Sequence, residues 1–161
     1  MNIIFLDCDG VLSLMNQWNQ DLLQDKESDF DKNCVERLNK LMEYFINLDF
    51  PFPNHFIVIS SSWRYCKSTK DLQDIFKLRG FKYYNLIIGK TIGIDTLGFS
   101  LETRTEEILE WVNKNKVNKF IAIDDEEVLI QDLPKQNKII VNEKFGLQDE
   151  HCEKTKEYFK N

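Results

Sequence analysis

The sequence predicts an α/β fold built on a doubly wound parallel sheet, and three observations carry that prediction. Short continuous apolar runs alternate with segments of helical periodicity, the pattern of buried parallel strands joined by covering helices. Three of these runs stop abruptly at polar residues: the run at 3–6 ends at Asp7 and Asp9, the run at 56–59 at Ser60, and the run at 120–123 at Asp124 and Asp125. In open parallel sheets ligands bind beyond the carboxyl ends of the strands, so three such endings in one chain describe a site. A length of 161 residues suits one domain with a real core.

The first strand, residues 3–6, runs into LDCDG. Two carboxylates one residue apart repel each other unless a cation lies beside them. A hard divalent ion such as magnesium fits, because it prefers oxygen ligands and keeps positions open for water and phosphate. Gly10 gives the backbone the freedom to curl, so that both acids converge above the strand end. The plainer reading is an Asx turn closing a strand. Cys8, between the acids, is expected to point away from Asp7 into the core.

Residues 13–30 are polar around a lone Trp18 and read as a flap or weak helix. A helix follows over 31–48, with Val35, Leu38, Leu41, Met42 and Phe45 on one face, and PFPN at 51–54 ends it. The strand at 56–59 delivers SSSWR. Ser68 caps a helix running to about residue 78, and Gly80 closes it. Residues 86–88 suggest a short strand, and 89–100 a loop or small hairpin.

Thr103 and Glu106 match a capping box, opening a helix with Ile108, Leu109 and Val112 inward. The strand at 120–123 ends in DDEE, a fourth clear strand lies at 138–141, and the last helix covers 147–160. Asp149 and Glu150 lie early in it and Lys156 and Lys160 late, the order a helix dipole favours.

Charge and composition bound the function. A net charge of −6 argues against clamping a polyanion over the whole surface, while leaving room for a local basic pocket. The four cysteines form no C-x-x-C pair, which points to a reducing compartment and a cytoplasmic location. The start carries no basic leader and no apolar run approaches the ~20 residues that span a bilayer, so neither signal peptide, anchor nor membrane partner is expected. A monomer is the default expectation.

Taken in order, FLDCDGVL, FIVISS, Arg104 and IAIDDEE resemble the haloacid dehalogenase (HAD) superfamily, whose phosphatases carry these elements on successive strand ends. Within it, ISSSWR, TRTEEILEW and IDDEE are most similar to HAD domains associated with nucleic-acid repair proteins, and share features with capless phosphatases that act on phosphoproteins. The resemblance implies a Rossmann-like core without a large cap and a magnesium-dependent phosphatase.

It also implies roles for residues. Asp7 is the nucleophile that forms an aspartyl phosphate, and Asp9 protonates the leaving oxygen and then deprotonates water. Ser60 binds a phosphoryl oxygen with Ser61 beside it, and Arg104 balances the charge, Lys90 being the rival. Magnesium is held by Asp7, the carbonyl of Asp9 and the acidic pair, Asp125 first and Asp124 orienting it. On chemistry alone, Arg64 suits bidentate binding of a substrate phosphate or carboxylate, and Trp63 stacking on a base or ring, with core packing the plainer and favoured reading of Trp63. An uncapped site suits a phosphorylated macromolecule: a phosphoprotein, including phosphotyrosine, or else a nucleic-acid end. A phosphate-binding module without turnover is the non-enzymatic alternative.

Overall fold

The structure, a computed structural model, describes residues 1–14, 29–65, 67–92 and 104–160. The expected flap around Trp18, the Thr103 cap and most of the loop at 89–100 lie outside the described residues.

Five strands form one parallel sheet: β1 (Asn2–Leu6), β2 (His55–Ile59), β3 (Ile87–Lys90), β4 (Lys119–Asp124) and β5 (Lys138–Ile140). Their order is β3-β2-β1-β4-β5, so the chain winds one way from β1 to β3 and the other from β4 to β5. The topology therefore switches at β1, with β2 and β4 on its two sides. Such a switch point opens a crevice at the carboxyl edge.

Helices α1 (Lys32–Asp49), α2 (Thr69–Leu78) and α4 (Asp149–Lys160) contribute to one buried layer, with Leu38, Met42, Phe45, Phe76 and Phe159 against Ile4, Leu6, Ile57 and Ile59. Helix α3 (Arg104–Lys114) closes the opposite face, where Ile108 packs against Ile3, Phe5, Val58 and Ala122. Alternate strand residues thus face opposite layers, which is why the strand sequences are apolar throughout. Burying each such aliphatic or aromatic side chain stabilises the fold by roughly 1.5–3 kcal/mol. No large cap is present among the described residues.

Local signals set the helix starts. Asp31 accepts from Asn33 N and Cys34 N at 2.9 and 3.0 Å, and Ser68 forms a reciprocal capping box with Asp71. One expectation is corrected in α3. Leu109 is exposed, and the buried positions are Thr105, Glu107 and Ile108, because Glu107 pairs with Arg64 in the interior.

Candidate active site

The sheet register builds the site. Leu6 lies opposite Ile59 on β2 and Ile123 on β4, so the next residue of each strand is Asp7, Ser60 or Asp124. The ladder continues one step further: Asp7 N–H donates to Ile123 O at 3.0 Å, and Ser60 N–H to Leu6 O at 2.9 Å. Three neighbouring strands therefore bring the polar residues that end their apolar runs side by side.

After Asp7 the chain turns tightly, with Leu12 N–H and Ser13 N–H both donating to Cys8 O and Gly10 N–H to Ser13 O. Gly10 sits at φ +73°, and a Cβ there would come 2.3 Å from the Asp125 carboxylate. Only glycine accepts this backbone and leaves this space. Asp7, Asp9, Gly10, Ser13, Ser62, Arg104, Asp125, Glu126 and Glu143 line a cavity of about 250 Å³.

Asp7, Asp124 and Asp125 each offer an oxygen within 4.8 Å of the others. Asp7 is buried and its Oδ1 accepts no hydrogen bond, although Arg104 Nη1 lies 3.1 Å away as an ion pair. Arg104 donates to Asp124 Oδ2 at 2.6 Å, and Asp124 Oδ1 accepts from Glu126 N–H at 2.9 Å. Burial pushes the Asp7 carboxyl well above the usual range; Arg104 pulls it back, while Asp124 and Asp125 push it further. Asp125 is pushed up to about 6, first by burial and then by Asp124. Burial opposes the charge on Arg104, but Asp7 and Asp124 outweigh it and raise its pKa.

One guanidinium facing three carboxylates leaves a local excess of negative charge, held in an all-oxygen donor set with an unsatisfied buried oxygen. Those features fit a hard divalent cation such as magnesium. The Asp9 carboxylate is not part of this group. It turns to the other wall, where it accepts from Ser62 Oγ at 3.2 Å and from Trp63 Nε1 at 3.0 Å.

The family model for the HAD domain in Swiss Army Knife RNA repair proteins matches residues 3–152. The chain belongs to this family. No curated protein and no solved structure matches it. As a HAD domain it is of a phosphatase type, and its members are generally magnesium-dependent, which agrees with the donor set at Asp7, Asp124 and Asp125.

Other candidate residues of this HAD domain take places the sequence did not foresee. Arg64 is not brought to the cavity: it is buried, donating to Glu107 Oε1 at 2.6 Å, Ser61 O at 2.7 Å and Tyr65 Oη at 3.0 Å, and its unpartnered Nε is buried too, so the guanidinium does not line the cavity. Ser61 is fully buried, and its hydroxyl caps the 3₁₀ turn Ser62–Arg64 by accepting from Trp63 N–H. Trp63 meets the site with its indole N–H edge, while its ring packs against Phe30, so the stacking platform expected of it is already covered on that side.

Lys90 Nζ is bonded to Arg64 O at 2.7 Å and Lys67 O at 2.5 Å; among the described residues Arg104 is the cation that lines the cavity. Ser60 Oγ is buried without a hydrogen-bond partner, beside Asp7 in the register. Cys8 is buried, burial pushes its thiol well above the usual range, and it does not line the cavity.

Two lining residues escaped the sequence reading. Ser13 is buried with its Oγ unpartnered, and Glu143 follows β5 by a short loop. The DGVLS spacing carried the signal for Ser13, since the turn that brings Gly10 N–H to Ser13 O folds residue 13 back onto the site. Nothing in the local sequence marks Glu143.

Proposed function

We propose that this HAD domain is a magnesium-dependent phosphomonoesterase that works through an aspartyl phosphate on Asp7 and removes a terminal phosphate from RNA. The observation that supports it best is the placement of Arg104, 3.1 Å from Asp7 and 2.6 Å from Asp124, facing a cavity that Asp9 lines from another side. Residues 1–161 act as one catalytic unit in this reading.

Asp7, Asp124 and Asp125 would hold the ion, with the Asp9 carbonyl, and the ion would neutralise phosphoryl charge and keep Asp7 ionised. An Asp7 carboxylate oxygen forms a bond to phosphorus as the bond to the leaving oxygen breaks. Asp9 gives its proton to that oxygen. In the second half Asp9 takes a proton from water, whose oxygen attacks phosphorus, releasing inorganic phosphate and restoring Asp7. Arg104 balances the charge on the transferring group, and the Ser60 hydroxyl donates to one of its oxygens.

The RNA end is favoured by the family's description. A phosphoprotein substrate is the second reading, favoured by the net charge of −6. In either case the expected location is the cytoplasm; no helix among the described residues is long and apolar enough to cross a membrane.

The test compares wild type with Asp7→Asn on 4-nitrophenyl phosphate, with and without magnesium, then on end-phosphorylated oligoribonucleotides and phosphotyrosine peptides. Magnesium-dependent turnover abolished in Asp7→Asn supports the mechanism. Preference for the oligonucleotide, weakening with salt, supports the RNA end; salt-insensitive preference for the peptide moves the substrate to the second reading. Equal behaviour of the folded wild type and variant overturns the proposal.

A further inference from the structure

Asp9 sits at the start of a tight turn, and its carboxylate is oriented by a different element. The turn after β2 delivers the clamp: Trp63 Nε1 is 3.0 Å from Asp9 Oδ1 and 3.0 Å from Oδ2, and Ser62 Oγ donates to Oδ2 at 3.2 Å. An indole N–H equidistant from both oxygens lies midway between them and, with the Ser62 hydroxyl on Oδ2, restricts how the carboxylate can turn.

The indole is itself held. Ser61 caps the turn that carries it, the Phe30 ring lies 5.3 Å away at 30°, and the Arg79 guanidinium carbon is 5.0 Å from its centroid. Phe30 is braced edge-on by Phe76 of α2 at 4.9 Å. A chain of packed rings thus runs from the interior to the reacting carboxylate, and a ring so packed has few alternative rotamers.

We propose that Trp63 is a positioning residue for proton transfer, its indole N–H aiming the Asp9 carboxyl at the leaving oxygen. The inference rests on the reading of Asp9 as the acid. The chemistry of the partner suits the task, because an indole N–H donates only and has no lone pair with which to take a proton from Asp9. With one Asp9 oxygen carrying the proton, the clamp keeps the O–H in place, so the proton passes to the leaving oxygen as the P–O bond breaks. The indole keeps its own proton throughout. The same clamp serves the second half, when Asp9 accepts a proton from water.

A misaimed acid hurts poor leaving groups most, because 4-nitrophenolate departs without a proton and an alkoxide does not. The test measures kcat/KM on ethyl phosphate and on 4-nitrophenyl phosphate for wild type, Asp9→Asn, Trp63→Phe and a variant carrying benzothienylalanine at position 63, which replaces the N–H by sulfur and keeps the ring's shape. Loss of aim is expected to cost about tenfold to a hundredfold on ethyl phosphate, and at least about fivefold less on 4-nitrophenyl phosphate.

The same selective loss in Asp9→Asn and in the benzothienylalanine variant supports the inference, and the isostere carries the comparison where Trp63→Phe loses stability. If Asp9→Asn is selective and the isostere matches wild type on both substrates, Trp63 is packing only and the inference falls while the mechanism stands. If Asp9→Asn shows no selectivity, Asp9 is not the acid and both fall.

Discussion

Arg64 Nη2 and Glu107 Oε1 pair at 2.6 Å with side chains only 6% and 5% exposed, joining the turn after β2 to the first turns of α3. Glu107 Oε2 also accepts from Thr91 Oγ1 at 3.0 Å, so both its oxygens are used. The pair ties together two elements that carry site residues, Ser60 to Trp63 on one side and Arg104 on the other. Removing one partner leaves a buried, unpaired charge. Glu107→Ala is expected to destabilise the fold by about 3–5 kcal/mol, and the double change Arg64→Met with Glu107→Leu by distinctly less. Urea unfolding of wild type and the two variants checks this; a double change that costs as much as Glu107→Ala would contradict it.

Arg104 and Lys90 should separate cleanly by assay. Arg104→Met removes the cation between Asp7 and Asp124 and is expected to lower kcat by about 10²–10³-fold. Lys90→Met removes two bonds to backbone carbonyls, costing stability of about 1–3 kcal/mol with kcat changed by less than about tenfold. Steady-state kinetics beside thermal melts distinguish the two patterns.

Gly10→Ala puts a Cβ where the Asp125 carboxylate stands and forces a side chain onto a backbone at φ +73°. The conformational strain costs about 1–2 kcal/mol. Displacement of Asp125 adds a weaker response to magnesium. A titration of activity against magnesium should show a higher midpoint in the variant, whereas an unchanged midpoint would mean that Asp125 does not contact the ion.

Stability should depend on pH and magnesium together. Asp125, raised from 3.8 to about 6, holds a proton in the folded chain that the unfolded chain releases, and Asp7 is shifted the same way. The folded state then binds more protons through that window, so metal-free stability falls as pH rises from about 4 to about 6. Magnesium needs these acids ionised and removes the penalty. Its stabilising effect is expected to be larger at about pH 8 than at about pH 5, read as the shift in melting temperature.

The strand and helix framework was largely legible, because it is written in local pattern. Residues 31–48 read as a helix whose Val35, Leu38, Leu41, Met42 and Phe45 face inward; the structure has Asp31 as cap, α1 from Lys32 and all five buried. The acids Asp7, Asp124 and Asp125 were legible because each ends an apolar run. Leu109 was misread, and the local sequence does not reveal where Arg64 and Trp63 sit, for a common reason. Each one's place is decided by a residue distant in sequence: Glu107 draws Arg64 inward and takes the buried position on α3, and Asp9 claims the edge of Trp63. Such pairings leave no periodic trace, and neither does the contribution of Glu143 from beyond β5.

Placing the switch of winding at β1 has a consequence for durability. Asp7 follows the central strand of the five, so its amide is bonded inside the sheet and not at a frayed edge. Opening that bond requires parting the middle of the sheet, and deuterium uptake at Asp7 should be among the slowest in the chain. The reactive carboxylate is thereby anchored to the last part of the molecule to melt, and heat or denaturant should extinguish catalysis and dismantle the sheet in a single step.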